Sequence, residues 1–198
     1  MTDKKKIVIK HAPIIVLFAV FGGSLLNLAL FYFVEVMQLP VFLDSIFTIM
    51  VTAVFGIWPG IVVGFLTNAG MEVLDAFSGT KIPFAAVNIL TAILTALLVR
   101  RGFFDSIPGI LVSVMIIALA NALAGAFIVT LVFGGTTDES VDQIVRAITV
   151  TGKSLFTSAF LGRILINVVD KGLSLLIVYP VYKRLRRWNE TTSTAGRV

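Results

Sequence analysis

Cysteine is absent from the 198 residues, so disulfides, thiol nucleophiles and cysteine-ligated metals are excluded. Histidine occurs once, as His11, which rules out paired-histidine metal sites and any Ser/His or Cys/His nucleophile arrangement. No glycine-rich loop runs into Lys-Ser or Lys-Thr. Gly79-Thr80-Lys81 lacks the preceding glycine and following helix of a phosphate cradle and reads as a turn. The chain is therefore not expected to be an enzyme, and neither a cofactor nor a metal is expected. Charge is also scarce: Asp, Glu, Lys and Arg make up 14%, against about a quarter in a soluble domain. Apolar residues take their place at 58%, in runs long enough for helices that cross a bilayer, about 20 residues each. These numbers predict an all-α integral membrane protein with one membrane domain over residues 1–198. The net charge of +5 does not point to nucleic acid. The basic residues sit in clusters beside apolar runs, with no arginine-rich groove and no interleaved aromatics.

Six spans are expected, at residues 13–34, 41–57, 61–73, 84–99, 108–133 and 154–182. Lys4, Lys5 and Lys6 ahead of the first run imitate a secretory leader. The run is too long for an h-region and lacks a small-x-small cleavage site, so it reads as a retained helix, with His11 at the interface. Trp58-Pro59-Gly60 reads as a tight turn with an interfacial aromatic. Residues 136–152 mix Asp138, Glu139, Asp142 and Arg146 with Val141, Ile144, Val145 and Ile148. That spacing predicts a short amphipathic helix on the membrane surface or capping the bundle. Lys153 to Lys183 as one helix is about 45 Å long, more than the ~30 Å core requires. This helix should tilt or project, with a bend at Pro180. Six spans place Lys4, Lys5, Lys6, Lys10, Arg100, Arg101, Lys183, Arg184, Arg186, Arg187 and Arg197 on one side, and only Lys81, Arg146 and Lys153 on the other. Basic loops stay in the cytoplasm, so both termini are expected inside.

The last span carries a polar stripe. At roughly 100° per residue, Arg163, Asn167, Asp170, Lys171 and Ser174 share one face. A charge at the bilayer centre costs about 2.5 to 3.5 kcal/mol on the most lenient scale, so this face must meet other helices or a watered cavity. Five spans hold an asparagine, Asn27, Asn68, Asn88, Asn121 and Asn167, and the second holds Asp44. Measured along the helices, these groups are expected in the outward half of the bundle. Each one alone reads most simply as packing glue, for about 0.6 kcal/mol per contact. Asp170 with Lys171, or with Arg163, reads as an internal ion pair on the same logic. Gathered at one depth, the set instead predicts a pocket for a small polar molecule. The candidate binding residues are Asp44, Asn88, Asn121, Arg163, Asn167, Asp170 and Lys171.

Three stretches resemble a known family. Phe42-Leu43-Asp44-Ser45-Ile46-Phe47-Thr48 with Gly56-Ile57-Trp58-Pro59-Gly60 and Gly64-Phe65-Leu66-Thr67-Asn68 is similar to the second and third helices of the S components of energy-coupling factor transporters. Pro83-Phe84-Ala85-Ala86-Val87-Asn88 resembles the opening of their fourth helix. Asn167-Val168-Val169-Asp170-Lys171 resembles part of their sixth. The resemblance implies a six-helix subunit in a prokaryotic cell membrane, with a vitamin-like micronutrient held near the outer face. It also implies docking onto a membrane T component and two ABC-type ATPases, with toppling of the subunit in the bilayer. Family members often dock through Ala-x-x-x-Ala in the first helix. Here Ala19 and Gly23 stand in the equivalent pattern, which departs from it. Signatures of the riboflavin, thiamine and biotin members do not appear cleanly, so the cargo stays open.

Two other classes compete. A membrane sensor or anchoring module would precede a signalling domain, and the chain ends soon after its last basic cluster. An autonomous secondary transporter would show inverted repeats and broken helices, and neither is evident.

Overall fold

A computed structural model describes residues 13–135, 137 and 141–195, with side chains as far as 187. His11, Lys4, Lys5, Lys6, Lys10, Asp138, Glu139 and Arg197 lie outside the described residues. Among the described residues all regular structure is helical. Five helices are long and apolar enough to cross a membrane, and the architecture is that of a helical membrane protein.

Helix α1, Pro13–Val36, starts on a proline, whose missing N–H costs nothing in a first turn. Phe18, Phe21, Leu25 and Tyr32 are exposed, while Val20, Gly23, Ser24 and Asn27 face inward. Helix α2, Ile46–Phe55, is shorter than the expected span at 41–57. Ten residues reach only about 15 Å, half a hydrocarbon core. The missing turn is explained by Leu43, whose backbone is left-handed at φ 50°. That conformation, unfavourable for a branched residue, holds 41–45 out of the helix.

Helix α3, Ile57–Leu74, corrects a second expectation. Trp58-Pro59-Gly60 is its first turn rather than a loop, because proline there gives up an N–H with no intrahelical partner. The break falls instead at Gly56, with φ 100°. A short 3-10 turn, Ile82–Phe84, leads into α4, Ala85–Arg100. A second, Phe103–Asp105, leads into α5, Ile107–Leu131, whose Ser106 side chain caps Gly109 N–H at 3.2 Å. Helix α6, Val141–Thr149, lies within the expected amphipathic stretch. Its Val141 and Val145 pack with Ala126 of α5 and with Ala159 and Ile166 of the last helix.

Helix α7, Leu155–Ala195, runs past the expected end at 182. It passes through Pro180 and the basic cluster, where Lys, Arg and Glu are good helix formers. Its polar stripe is inside: Arg163, Asn167, Asp170, Lys171 and Ser174 are all buried. At the far end Phe104 and Tyr182 meet edge to face, 5.6 Å between centroids, and Arg186 pairs with Asp105. The α4–α5 turn and the end of α7 therefore share one end of the bundle.

The main core packs Ile49 of α2, Ile117 of α5 and Leu175 and Val178 of α7 around Phe104. Two close approaches set the helix spacing above it. A Cβ on Gly60 would lie 2.8 Å from Thr52 Cβ, and one on Gly64 would lie 3.1 Å from the Asn88 backbone. Small residues let helices come this near where water cannot drive them together.

Candidate functional site

Five helices and two connections surround one chamber. Phe31 of α1, Phe42 and Asp44 of the first connection, and Asn68 and Met71 of α3 line it. So do Lys81 and Phe84 before α4, Val87 and Asn88 of α4, Asn121 and Gly125 of α5, and Arg163, Asn167 and Lys171 of α7. Its volume is about 50 Å³, room for a few water molecules. A larger guest therefore requires the walls to part. A wider open cleft, about 540 Å³, adjoins it between the end of α1, residues 38–42 and α6, and shares Phe31 and Phe42 with the chamber.

Six of the seven candidate residues meet here: Asp44, Asn88, Asn121, Arg163, Asn167 and Lys171. Asn88 Nδ2 donates to Asp44 Oδ2 at 3.0 Å, joining α4 to the connection before α2. Asn121 Nδ2 donates to Thr91 Oγ1 at 2.7 Å, joining α5 to α4. Asn167 Nδ2 donates to Arg163 O at 2.8 Å, within its own helix. The Arg163 side chain crosses α5 at Gly125, where an added Cβ would lie 3.3 Å from Arg163 Cδ. Its guanidinium stands 5.4 Å from the centre of the Phe84 ring, a cation–π contact.

Asp170, the seventh, lies behind the wall and does not line it. Its Oδ1 accepts the Leu43 N–H at 2.7 Å, and its Oδ2 accepts from Lys171 Nζ at 2.5 Å. Lys171 also donates to Ser45 Oγ at 2.6 Å. Together the two hold residues 43–45. That tie fixes the left-handed Leu43 and so aims its neighbours Phe42 and Asp44 into the chamber.

Asn27 is elsewhere. Its amide donates to Thr48 and Thr67 and accepts from Phe47 N, binding α1 to α2 and α3. Of the proposed docking residues, Gly23 faces inward, with the position of a Cβ 3.3 Å from Val51 Cγ2. Ala19 packs at the edge of the small cluster formed by Val20, Val51 and Val63. Gly22 is the small residue left open at this level of α1.

The sequence reading missed Lys81 and Glu72. Lys81 is buried, lies over the Phe31 ring at 5.4 Å, and is 3.9 Å from Glu35. Glu72, at the end of α3, accepts N–H bonds from Gly79, from Lys81 at 2.8 Å and from Ile82 at 3.1 Å. It thus fixes the loop that delivers Lys81. An acid near a helix C-terminus opposes the helix dipole, and this misfit was the available signal. Beside it, hydrogen bonds from Ser78 and Thr80 hold the Asp75 carboxyl below the usual carboxylate range.

Chemically, the arrangement is of the kind that can bind a small polar molecule. It offers fixed amides, three cations and one carboxylate within aromatic walls, and among the described residues no cluster of metal-ligating side chains. No protein-family model matches the chain, and no curated protein or solved structure matches it.

Proposed function

We propose that this chain is the substrate-binding S component of an energy-coupling factor transporter: it captures a vitamin-like micronutrient, and partner proteins power the uptake. The observation that carries the reading is the chamber. Polar groups from α3, α4, α5 and α7 and from both connections converge on one space, whereas packing glue alone would leave them spread over separate helix pairs, as at Asn27. An apolar-walled pocket with a few fixed polar groups is the usual form of a small-molecule site.

In this reading α2, extended by residues 41–45, is the sixth span and both termini are cytoplasmic. The contact between the α4–α5 turn and the end of α7 supports that orientation, since it puts Arg100, Arg101, Lys183, Arg184 and Arg186 at one end. The chamber then opens near the other face, beside Lys81 and Glu35. Docking onto a T component and two ABC-type ATPases uses the lipid-facing side of α1, where Phe18, Phe21 and Gly22 are accessible at the level of Ala19.

The test is co-purification. Tagged protein, gently extracted from its own cells, should bring down one further membrane protein and ATPase subunits in a complex visible by native mass spectrometry. Recovery of a sensor kinase instead, or uptake by the lone protein in ATP-free vesicles, contradicts the proposal.

A further inference from the structure

The chamber wall also specifies the chemistry of its guest. Thr91 spends its own hydroxyl proton on Val87 O, 3.0 Å away, so its oxygen can only accept from Asn121. This fixes the Asn121 amide, with Nδ2 towards Thr91 and Oδ1 turned away. Asn121 is 1% exposed, lines the chamber, and its Oδ1 has no hydrogen-bond partner among the described residues. A buried acceptor left unsatisfied is costly, and native structures rarely keep one without a purpose. A guest that presents an N–H or O–H satisfies it.

One helical turn along α5 from Asn121 is Gly125, about 6 Å away, and across Gly125 lies the Arg163 side chain. The wall holds three cations, Lys81, Arg163 and Lys171, against one carboxylate, Asp44. Asp170 behind the wall pairs with Lys171 and Glu72 holds the backbone of the Lys81 loop, so with both counted the charges balance. Arg163, stretched along the wall past Gly125 and Phe84, is the cation placed for an anionic guest. Glu35, 3.9 Å from Lys81, has a side chain 55% exposed, so water weakens its effect. Phe31, Phe42 and Phe84 supply flat apolar sides.

We propose that the chamber takes a small, flat organic acid, its carboxylate beside Arg163 and an N–H or O–H donor on Asn121 Oδ1. A guanidinium meets a carboxylate with two parallel hydrogen bonds, and the spacing of roughly one helical turn suits a single substituted ring. This inference rests on the binding-subunit reading and narrows it.

Four probes separate the contributions: orotate (acid and N–H donors), benzoate (acid only), uracil (N–H donors only) and benzamidine (N–H donors with positive charge). Thermal unfolding of the purified full chain is followed at about 10 mM probe, where even millimolar binding stabilises measurably. Orotate should bind about tenfold tighter than benzoate or uracil, the equivalent of one good charge-assisted hydrogen bond, and benzamidine should not bind. Asn121→Leu should weaken orotate and uracil and spare benzoate. Arg163→Gln should weaken orotate and benzoate and spare uracil, and Arg163→Lys should recover part of the loss. If a variant does not fold, the ranking in the unaltered protein still decides. A preference for uracil or benzamidine, or no binding of any probe, overturns the inference. Because partner co-purification is scored separately, a neutral or cationic preference leaves the importer reading standing. An intact ranking without partners removes the importer and keeps the organic-acid site.

Discussion

Asp170 shows how one half of a buried ion pair can shape a site from behind its wall while the other half, Lys171, lines it. The pair pins Leu43 and Ser45, and Leu43 keeps a left-handed backbone that costs of order 1–3 kcal/mol if nothing imposes it. Asp170→Ala leaves the Lys171 ammonium buried without its carboxylate. The expected destabilisation is about 3–5 kcal/mol, the usual cost of breaking such a pair from one side, read as a lower unfolding temperature in detergent. Asp170→Asn keeps the acceptor for Leu43 and should cost less. Equal losses in the two variants would show that the backbone tie contributes nothing. Asp75 makes a milder case. Its carboxyl is held low by Ser78 and Thr80, so its contribution to the 75–81 loop is present above the ordinary carboxylate pKa. The contribution is lost as pH falls through the depressed folded value. Protease nicking of that loop should therefore increase only in acid, and Ser78→Ala should move the onset to higher pH. An onset unmoved by that change would contradict the assignment.

At the scale of helices, Gly60 and Gly64, two of the three glycines of α3, set the distances on which the site depends. Gly64→Ala puts a methyl 3.1 Å from the Asn88 backbone and should push α4 outward, at about 1–3 kcal/mol for overpacking. The Asn88–Asp44 bond should loosen with it, so probe binding should fall together with stability. Unchanged binding in a destabilised variant would show that the chamber tolerates the displacement. These elements also mark what the sequence could and could not reveal. Helices α1, α4 and α5 were legible to within a few residues, because continuous apolar runs with clear stops leave one option in a membrane. Residues 41–45 read as helix because Val41, Phe42 and Leu43 open an apolar run; what unwinds them is a tie from Asp170, 127 positions away, which no local pattern carries. The α2–α3 break falls at Gly56 rather than at Trp58-Pro59-Gly60, because Pro59 reads as a terminator in sequence and first-turn geometry makes it harmless. Helix α7 runs through its basic cluster rather than ending there, because cations suit a helix C-terminus and do not stop it.

At the scale of the whole molecule, the α7 stripe was readable from spacing alone, since a charged face has nowhere to go but inward. It brought Arg163, Asn167 and Lys171 to the chamber and Asp170 to its back. Lys81 was not readable as a wall residue, because a loop residue in sequence becomes buried only through the Glu72 cradle that folds the loop over the bundle. Asn27 shows the converse: an asparagine like the other four in sequence, spent on helix contacts by the threonines opposite it. Closed as it is, the chamber at about 50 Å³ must widen to admit a ring. The wall it shares with the adjoining cleft is Phe31 and Phe42, the place where a guest would have to part it.

Whether this chamber holds a small molecule can be read by native mass spectrometry of protein gently extracted from its own cells. One small-molecule adduct per chain is expected, absent from a folded Asn167→Ala variant. Bare protein, or adducts that are only lipid and persist unchanged in that variant, would contradict it.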